Sequence, residues 1–255
     1  MHLRAEGLSD IGRCRQSNED NFSLNDKLSL YVVADGVGGQ PAGEVASKLV
    51  AERLPDVLAG LVSEETNDTC DLLVRAVRKV NTLLLEASAD KPAWKGMSTT
   101  VVTAWFRDDE VNIANVGDSR AYLIRNQQIE QLSEDHTVLA EQQREGLAPD
   151  ETANRMAHVL TRCLGLEDDI EVTVGSMPVE PGDRILLCSD GLTDSLSEEV
   201  MRSIVLSASG PGEACRMLVE LANRNGGRDN ITVLLLFFDE GTFKMKISNI
   251  FGRRT

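Results

Sequence analysis

Histidine and paired cysteine are scarce in this 255-residue chain, which has three histidines, five cysteines and no Cys-x-x-Cys pair. That shortage argues against a His-rich or Cys-rich zinc site. An odd number of cysteines without regular spacing also argues against a disulfide scaffold and fits a reducing cytoplasm. Cys163 and Cys188 lie among apolar neighbours and read as core residues. Long apolar runs are absent too. The longest, Ile231 to Phe238 with Thr232 inside it, is too short to span a bilayer and reads as a buried strand. The opening stretch MHLRAEGLSDIGRC lacks the apolar segment of a signal peptide. Basic residues are outnumbered, 26 Lys and Arg against 41 Asp and Glu, for a net charge of -15. Such a surface repels phosphate backbones and makes nucleic acid a poor partner. No Walker GxxxxGK[ST] occurs, so a P-loop nucleotidase is unsupported.

What is present is enough apolar material, 42% of residues, for one sizeable core. No Pro- or Ser-rich linker interrupts the chain, which predicts one domain over 1–240. Beyond it, residues 241–255 carry Lys244, Lys246, Arg253 and Arg254 and read as a basic, frayed tail. Leu28 to Ala34 is apolar and β-branched and ends at Asp35-Gly36, the pattern of a buried strand meeting a turn. Helical spacing follows over about Pro41 to Leu61, where Pro55 is expected to kink or reset the helix, and again over Cys70 to Ala87. Strands are predicted over Ser98 to Trp105, Val111 to Val116, Arg120 to Arg125 and Gln128 to Leu132. The second and third of these read as tightly joined through Gly117-Asp118-Ser119. A polar, helix-prone stretch from Thr137 to about Ala157 reads as a mobile flap. Strands over Ile170 to Met177 and Arg184 to Cys188, helices over Ser197 to Ser207 and Gly212 to Asn225, and the strand Ile231 to Phe238 complete the order. This is not regular βαβ alternation. It predicts an α+β fold, two antiparallel sheets packed together with helices on both outer faces.

Four aspartates occupy similar local settings. Asp35 and Asp190 each follow a buried strand and precede Gly, Asp118 lies between two strands, and Asp229 immediately precedes one. Carboxylates at strand ends can converge at one edge of a sandwich, where they repel one another unless cations intervene. An oxygen-only ligand set favours hard octahedral ions, Mg²⁺ or Mn²⁺. Any one Asp-Gly alone is ordinary turn chemistry. The metal-site reading rests on the four together.

Their surroundings resemble a known family. RQSNEDNF (15–22), VVADGVGG (32–39), GMSTT (96–100), NVGDSRAY (115–122), LCSDGLTD (187–194) and GGRDNITV (226–233) follow the order of motifs in the PPM, or PP2C-type, protein serine/threonine phosphatases. The compact length is similar to bacterial members. The resemblance implies a four-layer αββα sandwich and hydrolysis of phosphoserine and phosphothreonine by direct attack of a metal-bridging water or hydroxide. It implies that Asp35 bridges two Mn²⁺ or Mg²⁺ ions, with the Gly36 carbonyl on one of them. Asp190 and Asp229 would complete one metal shell. Glu19 and Asp20 would hold metal-bound waters. Asp118, with Asp190, would bind a third, weaker ion. Arg15 would grip the substrate phosphate, for which its planar fork is suited. A surface ion pair with Glu19 or Asp20 is the alternative for Arg15. Consistently, no Cys-x5-Arg of the cysteine-dependent phosphatases occurs. Phosphoproteins as substrates, a cognate serine/threonine kinase as opponent and a monomeric state complete the expectation.

The chain departs from the family at Val37, where animal members carry a histidine thought to protonate the leaving group; a water on the third metal, near Asp118, is one replacement. His136, in EDHT before the flap, reads as a structural anchor, and His158 as packing or solvent-facing. Two other readings stay open: a binding module of the same fold without catalysis, and a hydrolase of small phosphoesters.

Overall fold

The computed structural model describes residues 1–62, 68–146 and 156–240. The basic tail at 241–255 and the middle of the expected flap, 147–155, lie outside the described residues. Ten strands form two antiparallel sheets of five. In chain order the strands are β1 (His2–Asp10), β2 (Asp20–Asn25), β3 (Leu30–Asp35), β4 (Val101–Arg107), β5 (Glu110–Val116), β6 (Arg120–Arg125), β7 (Gln128–Gln131), β8 (Thr173–Pro178), β9 (Arg184–Cys188) and β10 (Ile231–Asp239). The first sheet has the order β1-β10-β9-β6-β7 and the second β2-β3-β4-β5-β8. The helices are α1 (Gly43–Val62), α2 (Thr69–Asp90), α3 (Val138–Arg144), the single turn α4 (Asp190–Thr193), α5 (Glu198–Ser207) and α6 (Pro211–Arg224). Among the described residues no helix is long and apolar enough to cross a membrane.

The expected α+β sandwich is present, and the period of two along each central strand explains its layers. In β3, Leu30, Val32 and Ala34 pack toward α1 and α2, while Tyr31 and Val33 face the other sheet. In β10, Val233, Leu235 and Phe237 pack toward α5 and α6, while Leu234, Leu236 and Phe238 enter the space between the sheets. Strands covered on both faces have no polar alternation, hence the continuous apolar runs in the sequence. Each fully buried aliphatic side chain contributes about 1.5–3 kcal/mol, so the three cores hold the strand ends in fixed relation.

Three local expectations are corrected. First, β1 and β2 have no counterpart in the sequence reading. Both are edge strands, β1 against β10 and β2 against β3, with mostly half-buried positions and polar sequences that carry no apolar signal. Second, β5 and β6 are joined tightly but belong to different sheets. Gly117-Asp118-Ser119 therefore carries the chain across the sandwich edge. Third, α1 runs through Pro55 as one helix. Proline removes one backbone donor; Val50, Leu54, Leu58 and Leu61 on either side of it are buried in one core cluster, and that packing offsets the loss.

Candidate metal centre

Asp35 ends β3 and stands directly opposite Asp20 in the β2–β3 register. Its backbone is pinned on both sides. Asp35 N–H donates to Thr100 Oγ1 at 3.1 Å, and its carbonyl accepts from Thr99 Oγ1 at 2.7 Å and from Thr100 N–H at 2.8 Å. Thr100 Oγ1 also lies 2.7 Å from Ser119 Oγ, next to Asp118. The two threonines of GMSTT thus tie Asp35 in one sheet to the Asp118 crossing, a role not read from the sequence.

Asp190 is reached from the other side. It opens α4 at the end of β9, and the preceding Ser189 donates its hydroxyl to Asp20 Oδ2 at 2.7 Å. Asp229 precedes β10, and the following Asn230 pins the loop that carries Arg15. Asn230 Oδ1 accepts from Glu19 N–H at 2.8 Å, and Nδ2 donates to the Ile11 and Ser17 carbonyls at 2.9 and 3.0 Å. Sequence reasoning missed Asn230; the signal available was its place beside Asp229 at a strand start.

The glycines decide between turn and site. Neither Gly36 nor Gly191 has positive φ, so neither is there for left-handed turn geometry. Each is instead a point of close approach. A Cβ on Gly36 would lie 2.4 Å from the Gly43 carbonyl oxygen, and one on Gly191 would lie 2.0 Å from that of Asn230. Both Asp-Gly units pack a loop against the next element, which aims the carboxylate rather than reversing the chain.

Arg15, Glu19, Asp35, Gly36, Asp118, Asp190 and Asp229 all line one cavity of about 810 Å³. Asp20 lies beneath them, 4% exposed, and its Oδ1 is buried with no hydrogen-bond partner. Burial, and then the charges of Asp20, Asp190 and Asp118, hold the Asp35 carboxyl well above the usual carboxylate range. Burial followed by the charges of Asp118 and Asp229 does the same to Asp190. Asp118 is pushed up to about 6, by burial first and Asp135 second. Burial also raises Glu19 and Asp20. A set of carboxylates that cannot all ionise together, with a buried orphan oxygen among them, fits oxygen-ligated divalent cations.

Arg15 pairs with neither Glu19 nor Asp20. Its guanidinium donates to Asp229 Oδ2 at 2.5 Å. His158 faces solvent, as expected, yet it also faces the acid cluster. Its Nδ1 is 3.8 Å from Asp194 Oδ2, and ligand atoms of His158, Asp190 and Asp194 lie within 4.8 Å of one another. Sequence reading set His158 aside because nothing in MAHVLTRCLG shows that the chain turns back over Asp190.

His136 has the anchoring contacts expected of it. Gly117 N–H donates to Nδ1 at 3.0 Å, which places the ring proton on Nε2, 2.9 Å from Thr173 Oγ1. Burial, with Arg162 and Arg144 nearby, pushes its pKa down to about 4, so the ring is neutral. Its backbone carbonyl accepts from Thr161 N–H at 2.9 Å, closing the base of the flap. His136→Ala is therefore expected to cost about 2–4 kcal/mol in denaturant unfolding, through a cavity and an orphaned Gly117 N–H. It should also lower turnover by loosening the Asp118 crossing. A loss below 0.5 kcal/mol would contradict the anchor.

Comparison with known proteins identifies the family. Residues 13–224 match the profile of the protein phosphatase 2C family. The chain belongs to that family. It is 40% identical over 243 residues to the serine/threonine phosphatase stp of Listeria innocua serovar 6a, covering 92% of this chain and 95% of that protein. The solved structure of the serine/threonine phosphatase Stp1 from Staphylococcus aureus superposes with a TM-score of 0.84 at 30% identity, covering 94% of this chain and 96% of that one. The catalytic domain of the serine/threonine protein phosphatase PstP, solved in complex with two manganese ions, superposes with a TM-score of 0.79 at 34% identity, covering 93% and 99%. This chain is a serine/threonine protein phosphatase of the PP2C family.

Proposed function

We propose that this phosphatase hydrolyses phosphoserine and phosphothreonine on proteins in a metal-dependent reaction centred on Asp35. The observation that carries the reading is the convergence of Asp35, Asp118, Asp190 and Asp229 on one cavity, above the buried, partnerless Asp20 Oδ1. Asp35 suits the bridging position, since the charges of Asp20, Asp118 and Asp190 all act on it. Asp190 and Asp229, with the Gly36 carbonyl, would hold the flanking positions, and Glu19 and Asp20 would orient waters. Asp118 and Asp190 would hold a third, weaker ion. Two Mn²⁺ or Mg²⁺ ions, when bound, lower the pKa of water and neutralise phosphate oxygens.

Arg15 has a distinct part. With the acid cluster charge-compensated, its attraction to Asp229 weakens, and its fork can bind two oxygens of the phosphoryl group. The Asp229 pair thus stores the guanidinium at the cavity mouth. Val37, at the position of the animal histidine, offers no proton, so leaving-group protonation falls to water near Asp118. We further propose that the enzyme opposes a cognate serine/threonine kinase, acts as a monomer and works in the cytoplasm. The free thiols of Cys14, Cys70, Cys163, Cys188 and Cys215 suit a reducing compartment.

The test is hydrolysis of a phosphothreonine peptide with Mn²⁺ and with EDTA. Release of phosphate only with Mn²⁺ is expected. Full activity in EDTA would sink the metal mechanism, and no hydrolysis with Mn²⁺ would sink the phosphoprotein reading.

A further inference from the structure

The cavity that holds the acid cluster has a second, chemically different wall. Val37, Val159, Leu160 and Leu166 line it, with Cys163 at its base. Val159 is 45% and Leu166 51% exposed, although both are large aliphatic side chains. Apolar surface left open inside a functional cavity marks a place for ligand rather than for packing.

The wall is fixed relative to the acid end by backbone hydrogen bonds. Gly36 bridges Thr99, and Thr99 bridges Leu164. Val37 N–H donates to the Ser98 carbonyl at 3.0 Å, and Thr99 and Leu164 exchange bonds of 3.1 and 2.9 Å. Gly165 N–H donates to Asn81 Oδ1 at 2.8 Å, which ties the same segment to α2. The Val159 carbonyl accepts from Val138 N–H at 3.0 Å, at the start of α3. The segment that carries Asp35 and Gly36 therefore continues directly into the apolar wall.

Charge narrows the occupant. Among the described residues lining this cavity Arg15 is the single Lys or Arg, against Glu19, Asp35, Asp118, Asp190, Asp194 and Asp229. With Arg15 taken by the phosphate, an acidic residue beside the phosphorylated one finds no further Lys or Arg among the described lining residues to receive it. An apolar side chain would lose water against Val37, Val159 and Leu166. We propose that this wall is a substrate subsite that selects phosphoproteins with an aliphatic or aromatic residue immediately beside the phosphoserine or phosphothreonine. The inference rests on the phosphoprotein reading above and adds its sequence preference.

The test compares two phosphothreonine peptides with Mn²⁺, one with leucine on both sides of the phosphorylated residue and one with glycine on both sides. The leucine peptide is expected to have a kcat/KM about tenfold higher, the scale of discrimination in an apolar pocket. In the Val159→Ser, Leu166→Ser double variant that ratio should fall to about twofold or less. The ratio cancels any general loss of activity in the variant. If the double variant turns over neither peptide, each single substitution is measured alone and should lower the ratio. A ratio near one in the unmodified protein, or an undiminished ratio in the variants, would overturn the subsite and leave the phosphatase reading intact. Failure of the unmodified protein to hydrolyse either peptide would overturn both.

Discussion

Asp35→Asn is expected to lower kcat on a phosphothreonine peptide by at least about 10³-fold, or roughly 4 kcal/mol of barrier. The substitution keeps the shape of the side chain and removes only its charge and one acceptor oxygen. An amide is a poor bridge between two cations, the role proposed above for Asp35. Asp20 faces Asp35 across the strand pair, and the charges of Asp190 and Asp118 act on it as well. The backbone should tolerate the change, because Thr99 and Thr100 hold Asp35 through its main-chain N–H and C=O. The metal-free variant should even melt at a higher temperature than the unmodified protein, since one of several mutually repelling carboxylates is gone. Steady-state kinetics with Mn²⁺ and a thermal melt in EDTA check the two halves together. A kcat within tenfold of the unmodified protein would remove Asp35 from the reaction.

The second large effect concerns pH and metal acting together on stability. A carboxyl whose folded pKa lies above its unfolded value takes up a proton on folding. The stability this proton confers is complete below the unfolded value near 4 and is lost as pH rises through the folded one. For Asp118 that folded value is about 6, and Asp35 and Asp190 are shifted strongly in the same direction. The metal-free protein is thus expected to melt about 5 °C higher at pH 6 than at pH 8. His136 works in the opposite sense: its folded pKa is about 4, so it favours the folded state at high pH and costs stability as pH falls from the unfolded value toward 4. His136 therefore offsets one of the three carboxyls below about pH 6, so the rise on acidification becomes shallower there and continues toward pH 4. Added Mn²⁺ should stabilise far more at pH 8, where fewer protons compete with the ion for the carboxylates, by about 3 kcal/mol at a hundredfold excess over Kd. Equal melting temperatures at both pH values in EDTA, or a Mn²⁺ effect independent of pH, would contradict a cluster of buried carboxylates built for cations.

The same cluster explains a cost carried by the fold. Aligning acidic groups at one sandwich edge stores repulsion that the three cores must offset. Asn230, Ser189, Thr99 and Thr100 supply hydrogen bonds that keep the carboxylates aimed while they repel. These four are polar residues with little or no exposure. Their hydrogen bonds go to the loop that carries Arg15 and to the strand ends at Asp20 and Asp35.

The sequence by itself determined the central strands, the major helices and the sandwich class. Strands covered on both faces must be apolar throughout, and helices covering them must repeat at 3.6 residues. It also determined which residues to watch, because Asp35, Asp118, Asp190 and Asp229 stand in ordered motifs spanning Arg15 to Val233. The edge strands β1 and β2 were illegible, since edge positions need no apolar alternation. Only the tertiary structure decided how the aspartates relate. Asp35 faces Asp20 across one strand pair, while Asp118 stands where the chain crosses between sheets, and no local pattern records either fact. It also decided that Arg15 rests on Asp229, more than two hundred residues away in the chain, and not on its neighbours Glu19 and Asp20. Ion pairs follow spatial proximity, and proximity here is set by Asn230 pinning the first motif to the last strand. The Asp-Gly pairs show the same division: sequence shows a turn signature, and packing against the Gly43 and Asn230 carbonyls aims the carboxylate into the cavity.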